Sequence, residues 1–578
     1  MRSINSYPLT IIHEIPPVLS SKDKCAIDTE WFQMDKDRLH RPILPNGEPN
    51  GFFACATFCW DGETVYFVTD ENDVQEAMDN VKDAVWIFAN LKFDIVHLRR
   101  HANIPVREDK MWDVISMERI LWSGYYSNFS LADLTRRRLR AHLPKEDRKT
   151  FATATGLSPE RERYAAYDPI ATWHVYQDQR KDVLKRREAI TTWAEEDLPA
   201  LNTVMSMKGF KMNGDSWNII ADEAEAKRKI ILEKWEGILL TSSQQVGAEL
   251  VRQGYTKLPK TPTGRPKTDI DTLSAIKDPN EFVSDLITFS ATKSQVGTYG
   301  RAFSDMIEPD GRVYADFKPL GAKTGRFSCS GPNMQNIPNK YTDPRYRECL
   351  IAEDGNILII ADYSSQEPRI GAYITQDREL LRIFDEDLDI YIESARLMMG
   401  WEITKEDPRR NNPIKPTVLG AFFGLTEHGL EKGKDKIPKE EGRKLLDAFF
   451  FAFSGVANWI SGQRKRKDFV ETITGRKFWL NPYNWQSKNN AINSPVQGSA
   501  ADMMKRAGWR FVKAWGNTLH SPIVNFVHDE IVLEVPLEEK DRAIRLLAHS
   551  MVSVAEEMHP GVRAKADVGV GKTWNAKA

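Results

Sequence analysis

The sequence predicts a multidomain α/β protein, and three observations carry that expectation. At 578 residues the chain is too long for one hydrophobic core, and a prior of roughly 150 residues per domain gives three to four. Strand-like and helix-like segments mix through the N-terminal third. Two apolar strand segments, far apart in the rest of the chain, bracket a long helical stretch.

Taken in order, a short strand (Cys25-Ala26-Ile27-Asp28) ends at Asp28. An apolar stretch at Phe52–Trp60 and a strand at Val85–Ala89 follow, then helices from Asp113 to Trp122 and from Pro159 to Asp182. From about Ile190 to Leu240 the pattern is helical and charged. The Pro/Gly/Lys-rich run 257–267 (KLPKTPTGRPK) is a loop by its turn chemistry. A β-rich region follows Val313, with strands at Leu358–Ala361 and Ile523–Val535 and the helical insertion at about 370–520 between them.

Hydrophobic content of 41% and charged content of 28% sit near the soluble average and give no sign of a disordered chain or a fibre. No apolar run is long enough to cross a bilayer; Asn356–Ala361 (NILIIA) and Ala448–Phe453 (AFFFAF) suit buried segments. The first residues lack the charged start and long apolar core of a signal peptide, so a soluble cytoplasmic protein with no membrane partner is expected. Five scattered cysteines form no zinc pattern and read as reduced, mostly buried thiols. A net charge of −2 gives no global basic field. Local basic runs at 136–140 (RRRLR) and 464–467 (RKRK) are more often solvated helix faces than nucleic-acid contacts.

Two acidic constellations carry chemistry. In the first, Asp28 and Glu30 are two apart, so extended backbone turns both to one face. Asp94 and Asp168 could complete a four-carboxylate pocket, which cannot stay ionised without cations. Oxygen-only ligands select Mg²⁺ or Mn²⁺. Tyr164 lies one helical turn before Asp168, on the same face. Any one of these pieces alone reads as an ordinary polar cap.

In the second, an apolar strand runs into Asp362, and His528-Asp529-Glu530 joins two alternating strands as a hairpin with acids near its tip. If the strands are neighbours, Asp362 and Asp529 could hold two metals. Between them Lys415, Leu419 and Phe423 recur every four residues on one helix face. An amphipathic core helix with a snorkelling lysine gives the same pattern.

The three N-terminal pieces resemble the exonuclease motifs of the DEDD (DnaQ-like) 3′→5′ exonucleases. That resemblance implies an RNase H-like fold in which Asp28, Glu30, Asp94 and Asp168 bind two metals and Tyr164 positions the attacking water. Asp113 looks like that family's structural helix start. Residues 362–369 (DYSSQEPR), the Lys415 segment and Val527–Glu530 (VHDE) resemble motifs A, B and C of family A DNA polymerases. Thr324-Gly325-Arg326, residues 332–338 (PNMQNIP), Thr474-Gly475-Arg476 and residues 493–502 (NSPVQGSAAD) agree.

The resemblance implies a right-hand polymerase fold, with an exonuclease domain over 1–188 and a thumb with the start of the polymerase over 189–312. Palm would cover 313–369 (motif A) and 521–578 (motif C), and mainly fingers 370–520. It implies Asp362 and Asp529 as metal ligands, assisted by the Tyr363 carbonyl, with Glu530 an accessory acid. Glu367 would exclude a ribose 2′-OH. Lys415, with Arg410, Leu419 and Phe423, would meet the dNTP, and Lys415 could protonate departing pyrophosphate. Arg326, Asn333, Gln335, Asn336, Asn493, Gln497 and His528 would contact primer or template. Two Mg²⁺ are implied at each site, replaceable by Mn²⁺, with primed template and dNTPs as partners. A monomer is expected, alone or with helicase or other replisome proteins.

Departures from the family pattern are local. Leu419 stands where relatives carry Phe or Tyr. Phe423 replaces a frequent Tyr whose hydroxyl bonds the gate glutamate, so Glu367 needs another partner. Asn411 fills the usual arginine position and Arg410 lies one place away; Tyr391 replaces a frequent His, and Asn489 an Arg. The chain begins at the exonuclease and carries no thioredoxin-docking insertion, which suggests a phage replicative enzyme, with a bacterial or plasmid origin as the alternative. Two other readings share these features: an exonuclease whose C-terminal half only holds DNA, and a single-subunit RNA polymerase. The intact carboxylates with Lys415 weigh against the first; Glu367 and the exonuclease motifs weigh against the second.

Overall fold

Short, mostly apolar segments buried on both faces build the two larger sheets, and the computed structural model shows how helices cover them. It describes residues 2–35, 50–145, 148–261, 263–338, 343–433, 436–484 and 486–576. The N-terminal body has six strands: β1 (Thr10–Ile12), β2 (Lys24–Phe32), β3 (Phe52–Cys59), β4 (Thr64–Val68), β5 (Val85–Phe88) and β6 (Met111–Asp113). Their spatial order is β1-β4-β3-β2-β5-β6. β2 is antiparallel to β3 and parallel to β5, which makes it a central strand.

The strand expected to stop at Asp28 instead runs on to Phe32, with a register shift between Glu30 and Trp31. Polar residues at 28–30 interrupt the apolar run and mimic a strand end. Helices α1 (Leu91–Leu98), α2 (Val114–Trp122) and α3 (Pro159–Lys185) pack on this sheet. Ser158 caps α3 by accepting from the Arg161 amide, and Pro159 fills the first turn, where a missing N–H costs nothing.

Helix α4 (Leu198–Ser206) leads out of this body, and α5 (Gly214–Lys234) packs on α6 (Glu281–Gly297). The second sheet consists of β7 (Asn356–Tyr363), β8 (Ile523–Val527), β9 (Glu530–Pro536) and β10 (Ala566–Gly571), in order β8-β9-β7-β10, all antiparallel. Between β7 and β8 run α7 (Gln366–Thr375), α8 (Lys415–Phe422) and α9 (Ser487–Trp515); α10 (Lys540–Met558) precedes β10. The sheet core takes in Met503 and Phe511 of α9 and Leu547 and Met551 of α10. A distinct core around Leu380, Phe384, Phe449 and Phe453 serves the helical insertion. Phe451, in the same aromatic run, is 89% exposed, so that run is buried on one face only. All five cysteines are buried and unpaired. Among the described residues no single helix is long and apolar enough to cross a membrane.

A polar seam joins the two bodies. Lys92 of α1 pairs with Asp316, and Arg119 of α2 donates to the Leu320 carbonyl at 3.1 Å. The Trp479 indole donates to the Leu121 carbonyl at 2.8 Å. Gly124 has φ +85°, and a Cβ there would lie 2.3 Å from the Trp479 carbonyl oxygen, so only glycine fits this approach. Deeper in, Asp197, Arg476, Asp502 and Lys505 form a fully buried ionic quartet, with Arg476 bridging both aspartates at 2.9 and 2.6 Å.

Candidate active sites

At the N-terminal site, β2 and α3 supply the acids. Carboxylate oxygens of Asp28, Glu30 and Asp168 all lie within 4.8 Å of one another. Alternation along β2 turns its two acids to one face, and α3 brings Asp168 against it. Asp94, in the first turn of α1, is buried just outside this trio and accepts from the Thr29 hydroxyl at 2.8 Å. Asp113 accepts from the Asn90, Leu91 and Ser116 amides at 2.9, 2.6 and 2.6 Å, tying the starts of α1 and α2 together.

Burial, then the charges of Asp94, Asp168 and Glu30, pushes Asp28 well above the usual carboxylate range, with Lys145 opposing. Burial likewise raises Asp94, opposed by the Thr29 hydrogen bond. Such a pocket is costly as a set of bare anions, and the donor set fits hard divalent cations. The sequence reading missed Lys145. Its ammonium donates to Asp168 Oδ1 at 2.8 Å and contacts the Tyr164 hydroxyl at 3.3 Å. Nothing in the local pattern marks that lysine, which comes from a loop.

At the second site, β7 and β9 align so that Asp362 pairs directly with Glu530, while on its other side Asp362 pairs with Asp567 of β10. The Tyr363 amide donates to the Asp529 carbonyl at 3.1 Å. Asp362 and Glu530, 168 positions apart in the chain, are therefore neighbours. His528 and Asp529 form the tight turn between β8 and β9, with His528 exposed at φ 54°. Glu530 is buried and accepts from the Trp574 indole at 2.7 Å. Arg347 stacks on that indole, 4.1 Å from the ring centroid. Desolvation, followed by the guanidinium groups of Arg326 and Arg347, pulls His528 below its ordinary value.

The buried Tyr363 hydroxyl donates to the Met551 carbonyl at 2.7 Å, so that ring is structural. Glu367, on the first turn of α7, pairs with Arg326. Burial raises its pKa, with Arg326 opposing. Arg326 thus supplies the donor that Phe423, lacking a hydroxyl, does not. On α8, Lys415 is exposed and Leu419 and Phe423 half-buried, whereas Thr417, Val418 and Ala421 are buried. Lys415 and Arg410 lie 5.5 and 5.0 Å from the Tyr391 ring centroid, and Arg410 pairs with Asp389 at 2.6 Å.

Asn493 and Gln497 are half-exposed on an otherwise buried stretch of α9, and among the described residues Asn493 Oδ1 has no hydrogen-bond partner. By contrast, the Asn333 side chain accepts from the Gln335 amide at 3.0 Å, and Gln335 donates to the Phe526 carbonyl at 3.2 Å. The Asn336 carbonyl accepts from the Tyr299 hydroxyl. Those three brace the turn beside β8. Of the basic runs, 464–467 is exposed, whereas Arg138 of the 136–140 run is buried against Glu118, Asp178 and Asp182.

The comparisons agree on one family. The model for DNA polymerase family A matches residues 214–576. A thermostable DNA polymerase I of Thermus thermophilus is 32% identical over 329 residues, 54% of this chain and 38% of that protein. DNA polymerase I of Caldicellulosiruptor bescii is 31% identical, over 64% of this chain and 45% of its own length. This chain thus spans less than half the length of those relatives. DNA polymerase I of Aquifex aeolicus is 25% identical over 89% of this chain and 92% of that protein. Among solved structures, the POL domain of Pol1 from M. smegmatis in complex with DNA primer-template and dNTP matches with a TM-score of 0.81 and 22% identity. That match covers 98% of this chain and 100% of the other and speaks to the fold.

Proposed function

This chain belongs to DNA polymerase family A, and from that premise we propose that it is a template-directed DNA polymerase with a 3′→5′ proofreading exonuclease. The observation that carries the first half is the meeting of Asp362 with Glu530 and the Asp529 turn across β7 and β9. The family uses divalent metals. Two such ions between these aspartates would activate the primer 3′-OH and neutralise the triphosphate. Lys415, at the exposed end of the α8 face, would take the triphosphate, and Leu419 and Phe423 would lie along the incoming sugar and base. Glu367, held by Arg326, would close the space a ribose 2′-OH needs. His528, Asn493 and Gln497 would meet the duplex end. Proofreading rests on the Asp28, Glu30 and Asp168 trio with Tyr164 beside it, in an RNase H-like body. Both activities in one chain suit phage-type DNA replication.

Extension of a primed template with dNTPs, on matched and mismatched 3′ ends, reads both centres together. Extension with Mg²⁺, lost in Asp362→Ala and in Asp529→Ala, is the expected result. An unimpaired double variant would end the polymerase reading. Mismatched ends trimmed before extension, and left untrimmed by Asp28→Ala, are expected of the exonuclease.

A further inference from the structure

The N-terminal acid pocket already contains a cation of its own. Lys145 reaches in from the loop after residues 141–142 and donates to both carboxylate oxygens of Asp168. Its ammonium also lies 3.3 Å from the Tyr164 hydroxyl and 5.3 Å from that ring's centroid. The Asp168 side chain is 10% exposed and that of Lys145 32%, so the lysine enters from the solvent side. A lysine is a compact point charge on a flexible four-carbon stem, able to withdraw without moving the backbone.

A divalent ion held by Asp28, Glu30 and Asp168 needs an Asp168 oxygen that the ammonium now occupies. We propose that Lys145 is a built-in counter-ion that divalent metal must displace from Asp168, so that this exchange sets the metal affinity of the pocket. The proposal deepens the reading of the pocket as a metal site. It makes Lys145 a positioning residue: it holds the acids together before metal arrives and stands at the pocket mouth afterwards, a positive charge beside the path of a phosphodiester.

The sign of the effect separates this role from ordinary support. Mn²⁺ is titrated into the full chain carrying Asp362→Ala and Asp529→Ala, which silence the second centre, and free Mn²⁺ is read by electron paramagnetic resonance. Adding Lys145→Gln should tighten binding about tenfold, the scale of one lost ion-pair competitor. Lys145→Arg should stay near the parent. Unchanged or weaker binding in Lys145→Gln overturns the proposal, as does Mn²⁺ binding that survives Asp168→Asn. Melting provides a second readout: Lys145→Gln should melt lower than the parent in EDTA and regain most of the deficit in Mn²⁺. An equal deficit in both buffers would mean a structural role alone and also overturns it. If the parent never shortens a single-stranded 3′ end yet shows the Mn²⁺ exchange, the exonuclease reading falls and the exchange stands. Trimming without the exchange gives the reverse.

Discussion

The two acid centres gather carboxylates by different means. In the N-terminal pocket the acids converge from one strand and one helix until their oxygens are within 4.8 Å, and a lysine ammonium sits among them. In the C-terminal sheet Asp567, Asp362 and Glu530 lie in a row across three strands, with Asp529 at a turn and guanidinium groups nearby. Convergence raises Asp28 through burial and repulsion, so that pocket must be neutralised by protons or by cations. A row across a sheet spreads its charges along a surface. The first arrangement suits a single strand end entering a recess, and the second a substrate lying across strands.

The sharpest test of that contrast is separation. Asp362→Ala should cut primer extension by roughly three orders of magnitude or more while leaving 3′-end hydrolysis intact. Asp28→Ala should do the opposite, and joint loss in both assays would break the comparison. Next in size is a control acid on the same strand as Glu530. Glu534 is fully buried and bonded by Arg312 and Asn356. Burial works to raise it, but Arg312, Asn356 and Lys208 prevail and hold it down to about 2. Its depressed value contributes stability above pH 4.5 that is lost as pH falls toward 2. Glu534→Gln should therefore cost about 3 kcal/mol in denaturant titrations at pH 7 and progressively less below pH 4.5. Glu530→Gln, which keeps an acceptor for Trp574, should cost under about 1 kcal/mol.

A smaller effect concerns sugar choice. Arg326→Ala should lower the kcat/KM preference for dNTP over rNTP by about tenfold, as Glu367 loses its partner, and adding Phe423→Tyr should restore the preference without restoring rate. A ratio unchanged by Arg326→Ala would detach Arg326 from Glu367 in function. Smallest is Thr29→Val, expected to lower stability by about 1 kcal/mol through Asp94 and to leave extension untouched, as read by thermal melts and primer extension.

What could be read from sequence follows the range of each interaction. The shared face of Asp28 and Glu30 is a property of three consecutive residues, and the helix starts at Asp113 and Pro159 and the hairpin at 528–529 are equally local. Strand register is not: that Asp362 faces Glu530 depends on pairing across the insertion, and the motif resemblance implied only that Asp362 and Asp529 share metals. Glu367 is a middle case. Its need for a new partner followed from Phe423, but the identity of that partner, Arg326, required the fold. Lys145, Arg347 and Trp574 carry no pattern at all. The 136–140 run misleads for the same reason, since the acids that bury Arg138 come from two other helices. Polar residues within β2 hid the true length of that strand.

One consequence of the buried quartet concerns the chain as a mechanical object. Asp197 lies at the passage from the first body to the rest, and it is fastened without solvent to Arg476 and to Lys505 of α9. Prying these charges apart would strand at least one of them, at a penalty of about 3–5 kcal/mol. A protease that nicks the backbone near residue 187 should accordingly produce two fragments that still travel together through a sizing column, parting only in denaturant.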